Sequence, residues 1–375
     1  MSELRDWGGL PELPLAEVLR RLLPCLRSLY AFAATCRPWR RLLRSSAAYL
    51  LRPRLPPLRL VAAGSSRRAE PFSPLIYARP LPAHRGFAPG DANLLSASRG
   101  HLILLRRRDR LLVVADALTG AERRALPLPS PHFAYHCAAL LPSHLLLFHS
   151  KHAFFSLPSP LAAPNPNPSS VPAWAEHGLP RAASFVTGVL EFRGRVLGLT
   201  DRAQLLEFRL GASPPSQAVQ PLPAAGLPDA TMFDRCHFGP RLAAAGGRLL
   251  LVLFILESKG AMIQAPRRVL KVSVFGLDMA QMVWEEVDSI APYSLFVDCA
   301  GKSVAACVDV GSCGVEENRI YVAAPGRRNW RAFPPGWEAA PHPFGGGGDD
   351  ALFFRRAMKL PPWPSQIWFH PQLFF

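Results

Sequence analysis

The sequence predicts an α+β chain of more than one domain: a three-helix module over 1–50, then an all-β, propeller-like domain over 51–375. Six blades are favoured, with seven as the alternative. Three observations predict it. Apolar residues recur at helical spacing through the first fifty residues and nowhere else so regularly. After residue 60 the period changes to short apolar runs broken by Gly, Pro, Asp or Arg. These runs continue for about 300 residues, and at about 40–50 residues per four-stranded blade that length holds six or seven.

In the first helix Leu15, Val18, Leu19 and Leu22 fall at i, i+3, i+4 and i+7, on one stripe. Pro24 breaks the pattern. Leu29, Phe32, Ala33 and Cys36 then repeat it, with Ser28 in position to cap a second helix. Pro38 suits the opening of a third helix, whose apolar stripe holds Trp39, Leu42 and Leu43. A module of this size is near the lower limit for independent folding and leans on a partner or on the rest of its chain.

The strand pattern runs through 101–105, 111–115, 145–148, 153–156, 184–192, 195–199, 204–208, 248–256, 269–275, 304–308 and 319–323. Gly-centred turns at Gly194, Gly247 and Gly301 separate neighbouring runs. The terminal run 366–369 is expected to close the ring against 58–62. Three segments read as exposed loops: the Pro/Asn-rich 158–180, the Pro/Ala-rich 211–230, and 334–350 with its four consecutive glycines.

Forty-three Lys and Arg against 27 Asp and Glu give a net charge of +16. Such a field attracts acidic partners. The cations come as scattered pairs, with no recognition helix or aromatic-studded groove beside them, so a solvated basic surface is expected rather than a nucleic-acid site. Only five of these cations are lysines (151, 259, 271, 302 and 359). The seven cysteines lack paired spacing, which fits reduced thiols in cytoplasm or nucleus. No run of eighteen uncharged apolar residues offers a membrane span, and no basic-then-apolar leader opens the sequence.

Catalytic patterns are absent from the sequence. Cys299, Cys307 and Cys313 lack zinc-module spacing, and Gly345–Gly348 has no phosphate-loop Lys-Ser/Thr. Gly311-Ser-Cys-Gly314 is no nucleophile elbow. His132, His136 and Cys137 lack a third partner, His149 and His152 lack metal-pair spacing, and Asp349-Asp350 reads as a solvated pair. No catalytic residue, metal or cofactor is expected.

Leu10-Pro11, the stripe from Leu15 to Leu22, and Cys36-Arg37-Pro38-Trp39-Arg40 together resemble an F-box, over residues 6–46. Gly100-His-Leu, Asp116-Ala-Leu-Thr-Gly120, Leu126-Pro127, Val274-Phe-Gly-Leu-Asp278 and Asn318-Arg-Ile-Tyr-Val322 extend the resemblance to plant F-box proteins with an uncharacterised C-terminal β domain. Asp116-Ala117 departs from the Asn-Pro common there.

The resemblance implies a non-catalytic, substrate-recognition subunit of an SCF-type cullin E3 ubiquitin ligase, acting in ubiquitin-dependent degradation. Leu10, Pro11, Leu15, Val18, Leu19 and Leu29 would bind a Skp-type adaptor carried on the cullin scaffold, with Trp39 packing the third helix. The β domain would hold an unidentified protein target. Two other readings stand beside it: a basic propeller binding nucleic acid or acidic proteins without a ligase, and a propeller hydrolase with a metal in its central channel.

Overall fold

The computed structural model describes residues 10–22, 26–46, 57–63, 66–70, 81–82, 92–117, 120–158, 161, 173–211, 218–229, 233, 237–257, 267–323, 330–339, 353–354 and 366–369. The Gly345–Gly348 run and Asp349-Asp350 lie outside them.

Three helices open the chain: α1 (Glu12–Leu22), α2 (Leu26–Thr35) and α3 (Arg37–Ser46). Pro14 sits in the first turn of α1, where a missing N–H costs nothing. Leu15 and Leu19 are buried from α1, Leu29, Phe32 and Ala33 from α2, and Leu42 and Leu43 from α3. Trp39 stacks on Phe32 with ring centroids 4.5 Å apart. Ser28 lies inside α2, which begins at Leu26, so it does not cap the helix as its position suggested.

The body is a β-propeller. Four-stranded antiparallel sheets form the first blade from β4–β7 (Ala92–Ser98, His101–Arg106, Leu111–Asp116, Glu122–Pro127) and the second from β8–β11 (Cys137–Leu140, His144–Phe148, Ala153–Pro158, Ala175–Gly178). The third blade is β12–β15 (Val186–Phe192, Arg195–Thr200, Leu205–Phe208, Val219–Leu222). The fourth is β16–β19 (His237–Ala245, Arg248–Leu256, Arg267–Asp278, Val283–Glu286). β24 (Trp337–Glu338) and β25 (Phe353–Phe354) extend its outer edge along β18.

The fifth blade is β20–β23 (Ser294–Asp298, Val304–Cys307, Arg319–Ala323, Trp330–Phe333), and its order is unusual. β21 lies innermost, β20 is second, and β22 pairs with β20 in parallel. The crossover this demands carries the single helical turn Val310–Cys313.

One further sheet is composite. β1 (Leu58–Ala63), β2 (Ser66–Glu70) and β3 (Leu81–Pro82) pair with β26 (Gln366–Phe369) from the other end of the chain. Leu58 opposes Phe369 and Val61 opposes Gln366, so the ring closes as the terminal run suggested. Among the described residues the contiguous blades therefore number five, not the six or seven obtained by counting hairpins. The remaining sheet is shared between the two chain ends.

Two-residue turns with both residues at positive φ join the first two strands in three blades: Arg99-Gly100, Arg193-Gly194 and Gly246-Gly247. This mirror-image turn matches the right-handed twist of the flanking strands, and glycine supplies its second position without strain.

The apolar core lies between sheets. One continuous cluster joins Leu15, Leu19, Leu29 and Leu43 of the helices to Leu58, Leu94, Leu104, Val113 and Ile367 of the composite sheet and first blade. Trp284 and Trp368, both essentially fully buried, fill wedges elsewhere. The segments expected as loops each contain strand: β11 in 158–180, β15 in 211–230, and β24 in 334–350.

Candidate functional site

The innermost strands β4, β8, β12, β16, β21 and β26 surround an axial channel with a cavity of about 450 Å3. Small side chains dominate its wall: Ala97, Ala138, Ala139, Val189, Ala243 and Ala305. These short side chains leave the space along the axis open.

A turn crosses this channel. Residues 299–303, between β20 and β21, touch four other sheets. The Lys302 carbonyl accepts a hydrogen bond from Ala97 N–H of the first blade (2.7 Å). The Lys302 ammonium donates to the His136 carbonyl at the head of the second blade (2.8 Å). Arg241 of the fourth blade donates to the carbonyls of Asp298 (3.3 Å), Cys299 (3.1 Å) and Gly239. The Trp368 N–H of the composite sheet donates to Ser303 Oγ (3.0 Å).

Asp298, fully buried, holds the turn together. Its carboxylate accepts from Lys302 N–H (3.1 Å), Ser303 N–H (2.5 Å) and Ser303 Oγ (2.7 Å). Burial lowers the pKa of Arg241 and of Lys302 below their usual values. Burial also pushes His136 down to about 4, so its ring is neutral at pH 7 and spans to the Val186 carbonyl (3.1 Å). Cys137 is pushed up to about 11 by burial, which makes its thiol inert. These groups are engaged in holding strands together, and none forms a nucleophile–base pair. Among the described residues no group of three or more His, Cys, Asp or Glu is placed to hold a metal.

The channel end that carries His136 is ringed by loops. Arg110 reaches the Phe133 carbonyl (3.5 Å), and Phe133 stacks on His149 (4.3 Å). Leu179 N–H bonds the His152 carbonyl (2.6 Å). Phe185 sits edge-on to His136 (5.4 Å), and its carbonyl accepts from Asp201 N–H (2.8 Å). The sequence reading sets aside His132, His136 and Cys137 as a catalytic group, and His149 with His152 as a metal pair. The fold brings most of them to this end but engages them in aromatic stacking and backbone bonds. Phe133 and Phe185, 39% and 45% exposed, were missed, because nothing local distinguishes a rim phenylalanine from a core one.

The predicted adaptor-binding residues divide by exposure. Leu15, Leu19 and Leu29 are buried among the helices, while Leu10 and Trp39 are half-buried against them. Pro11 is exposed and Val18 is 40% exposed. Leu13, which the stripe did not single out, stands 84% exposed on α1. Among the described residues no helix is long and apolar enough to cross a membrane.

No curated protein matches the chain. Among solved structures it is similar to the β-propeller domain of Cps50 (Swd1) from Myceliophteria thermophila, at 13% identity over 58% of this chain and 79% of that one, with a TM-score of 0.30. A protein of unknown function from Bacteroides caccae gives 12% identity over 63% and 76%, with a TM-score of 0.33. BamB from Moraxella catarrhalis gives 12% over 63% and 66%, with a TM-score of 0.31. Overlaps this loose carry no functional argument. The family of KIB1-4 beta-propellers is matched over residues 74–347, well over half the chain and enclosing all five contiguous blades. The chain belongs to the KIB1-4 beta-propeller family.

Proposed function

We propose that the protein is a non-catalytic substrate receptor of an SCF-type ubiquitin ligase, docking a Skp-type adaptor through α1–α3 and a target protein through the propeller. One observation carries the reading. The helices that bear the F-box-like residues bury Leu15, Leu19 and Leu29 yet leave Leu13 and Val18 of α1 on the surface. With exposed Pro11 they give α1 apolar surface for an adaptor to cover. In this reading Pro11, Leu13 and Val18 touch the adaptor, and Leu10, Leu15, Leu19, Leu29 and Trp39 fix the helix positions. The propeller supplies a rigid frame for loops, and the rate gain for ubiquitin transfer comes from proximity alone. The protein acts in the cytoplasm or nucleus, where the ligase works.

The test is co-purification of the full chain with a Skp-type adaptor and cullin scaffold, against a chain lacking 1–50. The expected result is a stoichiometric complex lost on deletion and weakened at least tenfold by Leu13→Asp with Val18→Asp, since buried interface anchors each contribute ~2 kcal/mol or more. A folded protein that ignores the adaptor sinks the proposal. The net charge of +16 then favours the second reading, a basic propeller module without a ligase.

A further inference from the structure

We infer that the face of the propeller bearing Phe133 and Phe185 is the target-binding surface and takes an acidic, extended polypeptide segment with an apolar side chain. The inference deepens the receptor reading by naming the surface and the class of target, but it needs no adaptor.

The argument starts from strand direction. In antiparallel blades the β5–β6, β9–β10 and β13–β14 turns and the β7–β8 and β11–β12 links all leave the same ends of the strands. Contacts between the loops confirm the adjacency: Arg110 to Phe133, Phe133 to His149, His152 to Leu179, and Phe185 to Asp201 form an unbroken arc over three blades.

Arginines and a lysine that look scattered in sequence meet on this arc. Arg107, Arg108, Arg110, Lys151, Arg181 and Arg202 are all exposed there. The described carboxylates beside the arc are Asp109, Asp201 and Glu176 of β11, the last near His149. Arg107 hydrogen-bonds the neutral side chain of Asn93 (2.9 Å), so its charge is undiminished. Phe133 and Phe185 lie between these cations with nearly half their surface in solvent.

The opposite face differs. The turns at Arg193-Gly194 and Gly246-Gly247 meet there, since Arg193 donates to the Gly247 carbonyl (2.8 Å). Arg248 reaches the Ser289 carbonyl beside them (3.5 Å), and Asn318 N–H bonds the Tyr293 carbonyl (2.9 Å). That arrangement brings exposed Asp288, Glu316 and Glu317 to this side. The same side also carries exposed Arg99 and Arg193, and Arg319 pairs with Glu316 (2.9 Å), so its charge is mixed and an acidic segment prefers the arc. The cations stand on separate loop tips around the axis rather than along a groove that would track a phosphate backbone. This spacing suits a peptide, with carboxylates at the rim and an apolar side chain against the phenylalanines.

The test is selection from a random peptide library displayed on phage, panned on the full chain without any adaptor. The expected peptides are rich in Asp and Glu with at least one aromatic or aliphatic residue, and their affinity falls with added salt. Lys151→Glu with Arg181→Glu should weaken them at least tenfold, and Phe185→Ala about tenfold, the loss of one anchor. Arg193→Glu, on the opposite face, should leave them unchanged, and circular dichroism should show all variants folded. Selected peptides without acidic enrichment, or equal binding by the double reversal, overturn the inference. So does an equal loss in Arg193→Glu. A single-stranded oligonucleotide that binds more tightly than the peptides and is lost in the same reversals assigns the face to nucleic acid instead. Failure here leaves adaptor docking untouched, and failure of co-purification leaves this face untouched.

Discussion

Removing the Asp298 carboxylate should unfasten the turn that ties the ring across its axis. The carboxylate is fully buried and receives three donors: the N–H groups of Lys302 and Ser303, and the Ser303 hydroxyl. In Asp298→Ala the two Ser303 donors are stranded in a site only 4% exposed, while Lys302 N–H faces the channel and finds water. A stranded buried donor costs about 1–3 kcal/mol, and a hydrogen bond to a charged acceptor is worth about 1.5–3. Release of the carboxylate from its own desolvation offsets part of this. The net loss is expected at about 4 kcal/mol, a large share of an ordinary domain's stability. Asp298→Asn keeps one acceptor oxygen and should lose about half as much, ~2 kcal/mol. Urea unfolding followed by tryptophan fluorescence reads both, and hydrogen exchange at Trp368 N–H reads the closure directly, because its acceptor is Ser303 Oγ. If Asp298→Ala loses less than 1 kcal/mol, or Asn is as damaging as Ala, the turn does not hold the ring in the way argued.

Two further outcomes follow from the same core. Burial pushes His136 from its ordinary 6.5 down to about 4 in the fold, so the unfolded state binds the proton first as pH falls. Stability present above pH 6.5 should be lost progressively down to about 4, by about 3 kcal/mol from this group, and His136→Gln should flatten that part of a pH series of unfolding curves. Trp368→Ala empties a wedge lined by Phe296 (4.9 Å between centroids) and should cost about 3–5 kcal/mol in urea unfolding. A much smaller loss would mean that the composite sheet does not close the ring.

Most of the strands legible in the sequence are the middle ones of each blade. β5, β6, β9, β10, β13, β14 and β17 carry Leu, Val and Phe because neighbouring blades cover both their faces. Among the flanking strands β12, β21 and β26 are also legible, and the others escape notice for two different reasons. Innermost strands such as Cys137-Ala-Ala-Leu140 line the axial channel with little bulk, so they lack a conspicuous apolar run. Outermost strands such as Ala175-Glu-His-Gly178 face solvent and tolerate proline nearby, so they hide in segments that look like loops. Counting hairpins from the middle strands therefore gives the scale of the ring, but not how blades are shared. The closing strand is legible from the other end of the sequence, where the apolar run 366–369 is expected against 58–62.

The rim is a harder case, because its chemistry is assembled from positions up to about a hundred residues apart. Arg106-Arg107-Arg108 reads as a charge run, yet Arg106 turns inward to Asp109 and Glu122 while its two neighbours stay out. Lys151, Arg181 and Arg202 stand alone in sequence and meet only because each occupies a turn or link at the same end of its blade. A propeller converts a period in sequence into a circle in space, so residues one repeat apart become neighbours on a rim. Scattered charge in a repeating β chain is thus not evidence against a binding face. The informative quantity is the phase of each charge within its repeat, and in the first three blades that phase is shared.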